Sequence, residues 1–248
     1  MKKYSEEEIM RMRRAVSREV LKIIEDEKPE TIGLGSGGTV KIFIEELPQD
    51  LLRKKCFIST SIDTSIALRN KGARCIEDLF SPERIDLYVD SADEIDRDGN
   101  LLKGGGGALF REKIVMYSSD LKIIIADETK LVSFLGEKGF LPIEIVPYAY
   151  NYVRNRLKMM GLEIKIRTGS GRLGPVISDN GNFIADIILR EPIKDPEKTD
   201  LMIRSVEGVV ATGIFPYKDY KIFIGEADGR ILQLKASSFR VGMNRKDL

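Results

Sequence analysis

Three segments carry residue types at spacings suited to chemistry on a small anionic substrate. In LKGGGGALFREK (102–113), Lys103 stands before four consecutive glycines and Glu112 falls just over one turn into the helix that follows. A glycine inside a strand or helix costs ~0.5–1 kcal/mol relative to Ala. A run of four therefore marks backbone that must approach a ligand or another chain. The helix N-terminus and a neighbouring ammonium both favour an ionised carboxylate, which makes Glu112 a candidate general base beside Lys103. GLGSGGTV (33–40) sits where a strand becomes a helix. Backbone N–H groups in such a loop, with the Ser36 and Thr39 hydroxyls, form a site for an anion, most naturally a phosphate.

The same loop satisfies G-x-G-x-x-G through Gly33, Gly35 and Gly38, so a dinucleotide site stays open beside phosphate binding and a purely structural turn. The supporting acidic residue should end the second strand, but that strand runs into TSIDTS (60–65), where Asp63 comes several residues late. A Walker loop is excluded because no GK[ST] closes the segment. VDSADEIDRDGN (89–100) places Asp90 and Asp93 at the mouth of a third buried strand, where open α/β sheets bind ligands. An EF-hand fails there, since Gly105 occupies position twelve counted from Glu94. A magnesium site among these carboxylates is a further alternative. Asp96 and Asp98 read as solvated turn carboxylates, with Asp98-Gly99 a hairpin turn. Lys130 in DETK (127–130) adds a second cation for a phosphate.

The chain contains no histidine. That removes Ser-His-Asp and Cys-His nucleophiles, His-ligated zinc and non-haem iron, and leaves acid-base work to carboxylates, Lys, Tyr or Cys. With 40 Lys+Arg against 39 Asp+Glu and 42% hydrophobic residues, the 248 residues describe a globular protein with no global bias toward nucleic acid or membrane. The N-terminus lacks an apolar leader, which predicts a cytoplasmic protein. Cys56 and Cys75, without CxxC spacing, read as two reduced, partly buried thiols.

The elements that must position these groups follow from periodicity. Ser5 and Glu8 form a capping-box pattern ahead of a helix to about Asp26. Strands are predicted at 31–34, 56–60, 74–76, 85–89 and 121–126, alternating with helices at 39–47, 64–71 (closed by Gly72) and 107–117, which is the pattern of a parallel sheet covered on both faces. After about Leu135 the order becomes βαββαβ: a strand bracketed by Pro142 and Pro147, a helix at 148–160, a strand at 162–167, a hairpin around SDNGN (178–182) into 183–189, a helix near 196–205 and a strand at 209–215. That is a ferredoxin-like unit. Two short strands within 220–234 are expected to rejoin the first sheet.

Taken together and in order, GLGSGGTV, TSIDTS, VDSADEID, LLKGGGGALFREKIV, IADETKLV, LPIEIVPYA, SDNGNFIAD and VEGVVATGIF resemble the ribose-5-phosphate isomerase A family. The resemblance implies a Rossmann-like α/β domain (1–135 plus 216–248) carrying an inserted ferredoxin-like domain (136–215). It implies interconversion of D-ribose 5-phosphate and D-ribulose 5-phosphate in the pentose phosphate pathway with no metal or other cofactor, in a homodimer or homotetramer with no nucleic-acid or membrane partner. Carried over, Glu112 matches the base that moves a proton between C2 and C1 through a cis-enediolate. Asp90 and Asp93 match carboxylates on the sugar hydroxyls, and Lys103 matches the cation near the reacting oxygens. Ser36, Gly37, Gly38, Thr39, Ser91, Ala92, Gly104, Gly105, Gly106 and Lys130 match the remaining substrate-binding set. Three positions depart from the family pattern: Gly38 lacks a hydroxyl, Ser91 replaces a glycine, and a first-helix lysine is replaced by arginine, at Arg13 or Arg14. A glucosamine 6-phosphate isomerase-deaminase would be expected to use a histidine, and a sugar-phosphate-sensing module would not need Glu112.

Overall fold

The computed structural model describes residues 4–77, 84–169, 171 and 173–234. In chain order the elements are α1 (Glu6–Glu27), β1 (Thr31–Leu34), α2 (Gly38–Glu46), α3 (Gln49–Lys54), β2 (Cys56–Ser59), α4 (Ile62–Lys71), β3 (Cys75–Glu77) and β4 (Ile85–Asp90). Then come β5 (Glu94–Ile95), β6 (Leu101–Leu102), α5 (Leu109–Tyr117), β7 (Ser119–Asp127), β8 (Phe140–Ile145), α6 (Tyr150–Met159) and β9 (Glu163–Ile166). The chain continues through β10 (Phe183–Ile188), α7 (Pro196–Arg204), β11 (Val209–Thr212), β12 (Ile214–Phe215), β13 (Lys221–Gly225) and β14 (Ile231–Leu234). Two compact units result: one of the described residues up to Ala92, Ile114–Lys130 and those from Lys218 on, the other of Asp93–Lys113 and Leu131–Tyr217. Among the described residues no helix is long and apolar enough to cross a membrane.

The first unit is built on a seven-stranded sheet in the order β14-β13-β7-β4-β1-β2-β3. Its strands run parallel except β14, which returns antiparallel to β13. The tail thus rejoins the sheet as the sequence predicts. Helix α1 starts as expected: the Ser5 hydroxyl accepts the Glu8 N–H at 3.2 Å while the Glu8 carboxylate accepts the Ser5 N–H at 2.7 Å. Such a cap contributes about 1 kcal/mol. One face of the helix buries Val16, Val20 and Ile24 against Ile32, Leu34, Phe43, Phe57 and Ile125. Because the sheet is parallel, the loop after β1, Asp90 at the end of β4 and Asp127 at the end of β7 all leave it at the same edge.

The cysteines correct the sequence reading. Strands β2 and β3 are parallel neighbours in a register that sets Cys56 opposite Cys75, and the two are joined as a disulfide with their Cα atoms 4.8 Å apart. The spacing of 19 residues conceals this, because the pairing is created by a crossover through α4. Closing a loop of that length is worth about 3 kcal/mol in the chain-entropy model. Reduction, or Cys56→Ser with Cys75→Ser, is therefore expected to lower Tm by roughly 6–12 °C. Identical melting with and without reductant, measured beside the double variant, would show that the two thiols are unpaired in solution.

In the second unit, β8-α6-β9-β10-α7-β11 is the predicted βαββαβ order, folded as an antiparallel sheet β11-β8-β10-β9. Leu141, Ile143, Ile145, Val153, Leu157, Ile187 and Ile203 form its core. Two boundaries differ from expectation. Strand β8 begins at Phe140, so Pro142 lies inside it; its carbonyl accepts the Gly213 N–H at 2.7 Å. The stretch predicted as one strand over 209–215 is two, and Gly213 passes the chain from the four-stranded sheet to a second one, β12-β6-β5. A Cβ at Gly213 would lie 2.2 Å from the Lys103 carbonyl, so only glycine permits that transfer. Asp96 is likewise not a solvated turn carboxylate. It is 7% exposed and accepts N–H bonds from Asp98 and Asn100, and burial pushes its carboxyl up in spite of them. Asp98 is exposed, and Gly99 turns the β5–β6 hairpin at φ 84°. The α/β class with a mainly parallel sheet, expected from the strand and helix rhythm, is the class observed.

Candidate active site

On the first unit, the loop after β1 is held at its start by both polar groups of Gly35. Gly35 N–H donates to the Val89 carbonyl at 3.0 Å, and the Thr64 hydroxyl donates to the Gly35 carbonyl at 2.8 Å. TSIDTS is thus a buttress for the loop, and Asp63 points to Lys41 at 2.8 Å. No carboxylate ends β2, which counts against a dinucleotide ribose site. Helix α2 begins at Gly38 behind Gly37, whose φ of 95° suits glycine and which brings no capping side chain to the first-turn N–H groups. Both glycines are exposed, while Thr39 is buried in the first turn and Ser36 half-buried.

Asp90 is fully buried against this loop. Its Oδ1 accepts the Ser91 N–H at 2.7 Å and the Ser36 N–H at 3.3 Å. A Cβ at Gly35 would lie 1.8 Å from the same carboxylate, so the glycine is what lets Asp90 sit there. The Tyr88 hydroxyl donates to Asp90 Oδ2. Sequence reasoning missed Tyr88, although strand alternation puts residues two apart on one face and was sufficient to find it. Ser91 and Ala92 follow, both buried.

At the neighbouring strand end, Arg13 Nε donates to Asp127 Oδ2 at 2.8 Å. Burial pushes the Asp127 carboxyl up, but the Thr129 hydroxyl and the Arg13 and Lys130 charges outweigh it and hold the group below the ordinary aspartate value. A depressed carboxylate stabilises the fold at neutral pH, and that contribution fades as pH falls through the lowered value. Lys130 ends the 3₁₀ turn Glu128–Lys130, half-buried.

On the second unit, the glycine run links β6 to α5. Lys103 N–H donates to the Gly213 carbonyl at 2.8 Å, and Gly105 N–H donates to Asp93 Oδ2 at 2.8 Å. Lys103 and Glu112, each 3% exposed, form an ion pair with Nζ 3.2 Å from Oε2. The Phe215 ring centroid lies 5.6 Å from Lys103 Nζ and 4.8 Å from Lys113 Nζ. Both neighbours of Glu112 are committed elsewhere. Arg111 donates to Asn180 Oδ1 and the Asp179 carbonyl, each at 2.7 Å. Lys113 donates to the Ile214 carbonyl at 2.7 Å and to Asp200 Oδ1 at 3.3 Å. The turn that receives Arg111 is itself gathered on buried Glu144, whose Oε1 accepts from Ser178, Asn180 and Asn182 at 2.8–3.0 Å. These contacts anchor the first turn of α5 from both sides, which fixes where Glu112 points. Within this unit the structure brings together the cation, the carboxylate and the glycine backbone singled out in the sequence.

A dry carboxylate–ammonium pair beside glycine backbone suits proton transfer on a bound oxyanion. The family model for ribose 5-phosphate isomerase A (phosphoriboisomerase A) matches residues 56–229.

The chain belongs to the ribose 5-phosphate isomerase A family.

It is 45% identical over 205 residues to the ribose-5-phosphate isomerase A of Korarchaeum cryptofilum, covering 82% of this chain and 88% of that one. The ribose 5-phosphate isomerase A structure from Methanocaldococcus jannaschii superposes with a TM-score of 0.82 at 36% identity, covering 90% of this chain and 98% of that one. A D-ribose-5-phosphate isomerase solved in complex with phospho-erythronic acid gives 0.83 at 34% identity, covering 90% and 97%. The two first-helix arginines singled out in the sequence face different partners. Arg13 Nη1 lies 3.4 Å from the Cβ position of Gly38, whereas Arg14 faces Glu46 at 3.7 Å.

Proposed function

We propose that this chain interconverts D-ribose 5-phosphate and D-ribulose 5-phosphate, with Glu112 carrying a proton between C2 and C1 through a cis-enediolate. The buried Lys103 and Glu112 pair is the observation that carries this reading. Aldose–ketose isomerisation needs one base for two adjacent carbons, fixed charge for the developing enediolate and a remote anchor that orients the sugar. Glu112 is the base, the Lys103 ammonium with the Gly104 and Gly106 N–H groups meets the oxyanion, and the Gly105 N–H holds Asp93. Asp90 and Asp93, each receiving backbone N–H bonds, hold sugar hydroxyls and assist ring opening. The phosphate is assigned to Ser36, Gly37, Gly38 and Thr39 with Lys130, and Arg13 beside Gly38 offsets the hydroxyl missing there. Ser91 and Ala92 complete the sugar contacts. The protein acts in the cytoplasm as a homodimer or homotetramer on this reading.

Lys103 and Glu112 supply charge and base without a metal, so purified protein is expected to convert ribose 5-phosphate to ribulose 5-phosphate in EDTA. Turnover that appears only on adding a divalent ion would overturn the mechanism.

A further inference from the structure

We infer that Arg167, locked by Asp186, is a positioning residue that sets the peptide orientation of the glycine run for the isomerisation. This rests on the function proposed above and extends it to a residue that no sequence motif singled out. Four consecutive glycines bring no side chains to hold their own conformation and lose more freedom on ordering than any other residues. Their geometry must be imposed by neighbours.

Arg167 is placed to impose it. Its backbone is fixed first: its N–H donates to the Ile184 carbonyl at 2.9 Å and its carbonyl accepts the Val176 N–H at 2.7 Å. One edge of the guanidinium is then taken by Asp186, which accepts from Nε at 2.9 Å and from Nη2. The remaining nitrogen, Nη1, donates to two successive carbonyls, Gly104 at 2.8 Å and Gly105 at 2.9 Å. A planar fork with its other edge occupied has little freedom left, so both peptides are held in one orientation.

The consequence lies on the opposite side of the loop. In a trans peptide the N–H points away from the carbonyl it is conjugated with, and among the described residues no cis bond is present. With the Gly104 carbonyl on Arg167, the Gly105 N–H is turned away and meets Asp93 Oδ2 at 2.8 Å. With the Gly105 carbonyl on the same nitrogen, the Gly106 N–H is turned away from Arg167 as well. One of these N–H groups thus orients the Asp93 carboxylate, and the other is presented on the same side, where a fixed backbone donor favours negative charge. Donors fixed before reaction stabilise a developing enediolate without reorganising. Arg167 therefore contributes to turnover without touching substrate.

The test uses the full chain with Arg167→Met, Arg167→Ala, Arg167→Lys and Asp186→Asn, scored by kcat, KM, Tm and amide exchange in the 103–108 segment. For Arg167→Met, kcat is expected to fall about 10²-fold, the scale of a small misplacement of catalytic groups, while KM for ribose 5-phosphate stays within about threefold. Exchange in the segment should rise about tenfold over wild type as local opening becomes easier. Lysine should not rescue, because one ammonium cannot hold Asp186 and bridge two carbonyls. Guanidinium chloride at sub-denaturing concentration should restore part of kcat to Arg167→Ala. Asp186→Asn, which keeps Arg167, should give a smaller loss of the same kcat-selective kind and carries the test if Arg167→Met does not fold. The inference is overturned if these variants keep wild-type kcat, or lose turnover only in proportion to unfolded protein with exchange in 103–108 unchanged. An inactive wild type would instead refute the proposed reaction, and the exchange experiment would still decide whether Arg167 fixes the loop.

Discussion

Glu112→Gln is expected to lower kcat by about 10²–10⁴-fold, the usual contribution of a positioned general base. That corresponds to roughly 3–5 kcal/mol of transition-state stabilisation. The substitution preserves the shape of the side chain and removes only its capacity to take a proton. Because Arg111 and Lys113 are anchored to Asn180 and to Asp200 and Ile214, the first turn of α5 should keep its place. The phosphate groups are assigned to the loop before α2, so affinity for inorganic phosphate or a phosphorylated four-carbon acid should change by no more than a few-fold. Loss of kcat with binding preserved is the signature of an interaction made in the transition state. Steady-state kinetics with a parallel binding titration reads both. Near-normal turnover would mean that another group moves the proton, and Asp93, bonded to the same glycine run, would be the next to substitute.

How much of this was legible in the sequence depended on whether a feature is local. Ser5 with Glu8, Gly72 at a helix end and the four glycines announce themselves over a few residues, and each is where expected. The ferredoxin-like order was readable because it is a succession of elements. What escaped depends on register between distant segments. Cys56 meets Cys75 only because β2 and β3 are parallel neighbours. Gly213 divides a continuous apolar run because the Lys103 carbonyl comes within 2.2 Å of where its Cβ would stand. Asp96 looked like one more acidic residue in a solvated turn, yet its own hairpin folds over it. The short helix α3 escaped because one turn of QDLLRK shows no periodicity. Of the candidate site, the groups to which chemistry is assigned were named from the sequence, and those that hold them were not. Arg167 and Asp200 lie outside the segments singled out, and Glu144 and Asp186 lie inside LPIEIVPYA and SDNGNFIAD without an assigned role, since that role is set by which carbonyl or side chain lies across the sheet.

Lys103→Met is expected to destabilise the protein by about 3–5 kcal/mol, since removing one member of a buried pair leaves the other charge uncompensated. In thermal melts this amounts to roughly 6–20 °C for a chain of this size. Turnover should be lost as well, because the ammonium is assigned to the developing enediolate. The informative comparison is the double variant Lys103→Met with Glu112→Leu. Apolar residues that replace both members of a buried pair commonly leave stability unchanged or raise it by about 1–4 kcal/mol, because neither charge then has to be desolvated. The site suits that exchange. Both side chains are nearly dry, and the Phe215 ring already lies 5.6 Å from Lys103 Nζ. A methionine there meets an aromatic face that favours sulfur, while Lys113 keeps Asp200 and the Ile214 carbonyl as its own partners. The double variant should therefore melt above the Lys103→Met variant, at or above wild type, and stay inactive. Stability restored without activity would separate the two roles of the pair: the fold tolerates its charges, and the reaction requires them. A double variant no more stable than Lys103→Met would show instead that the lysine holds the glycine run in place by packing, and the desolvation argument would fall.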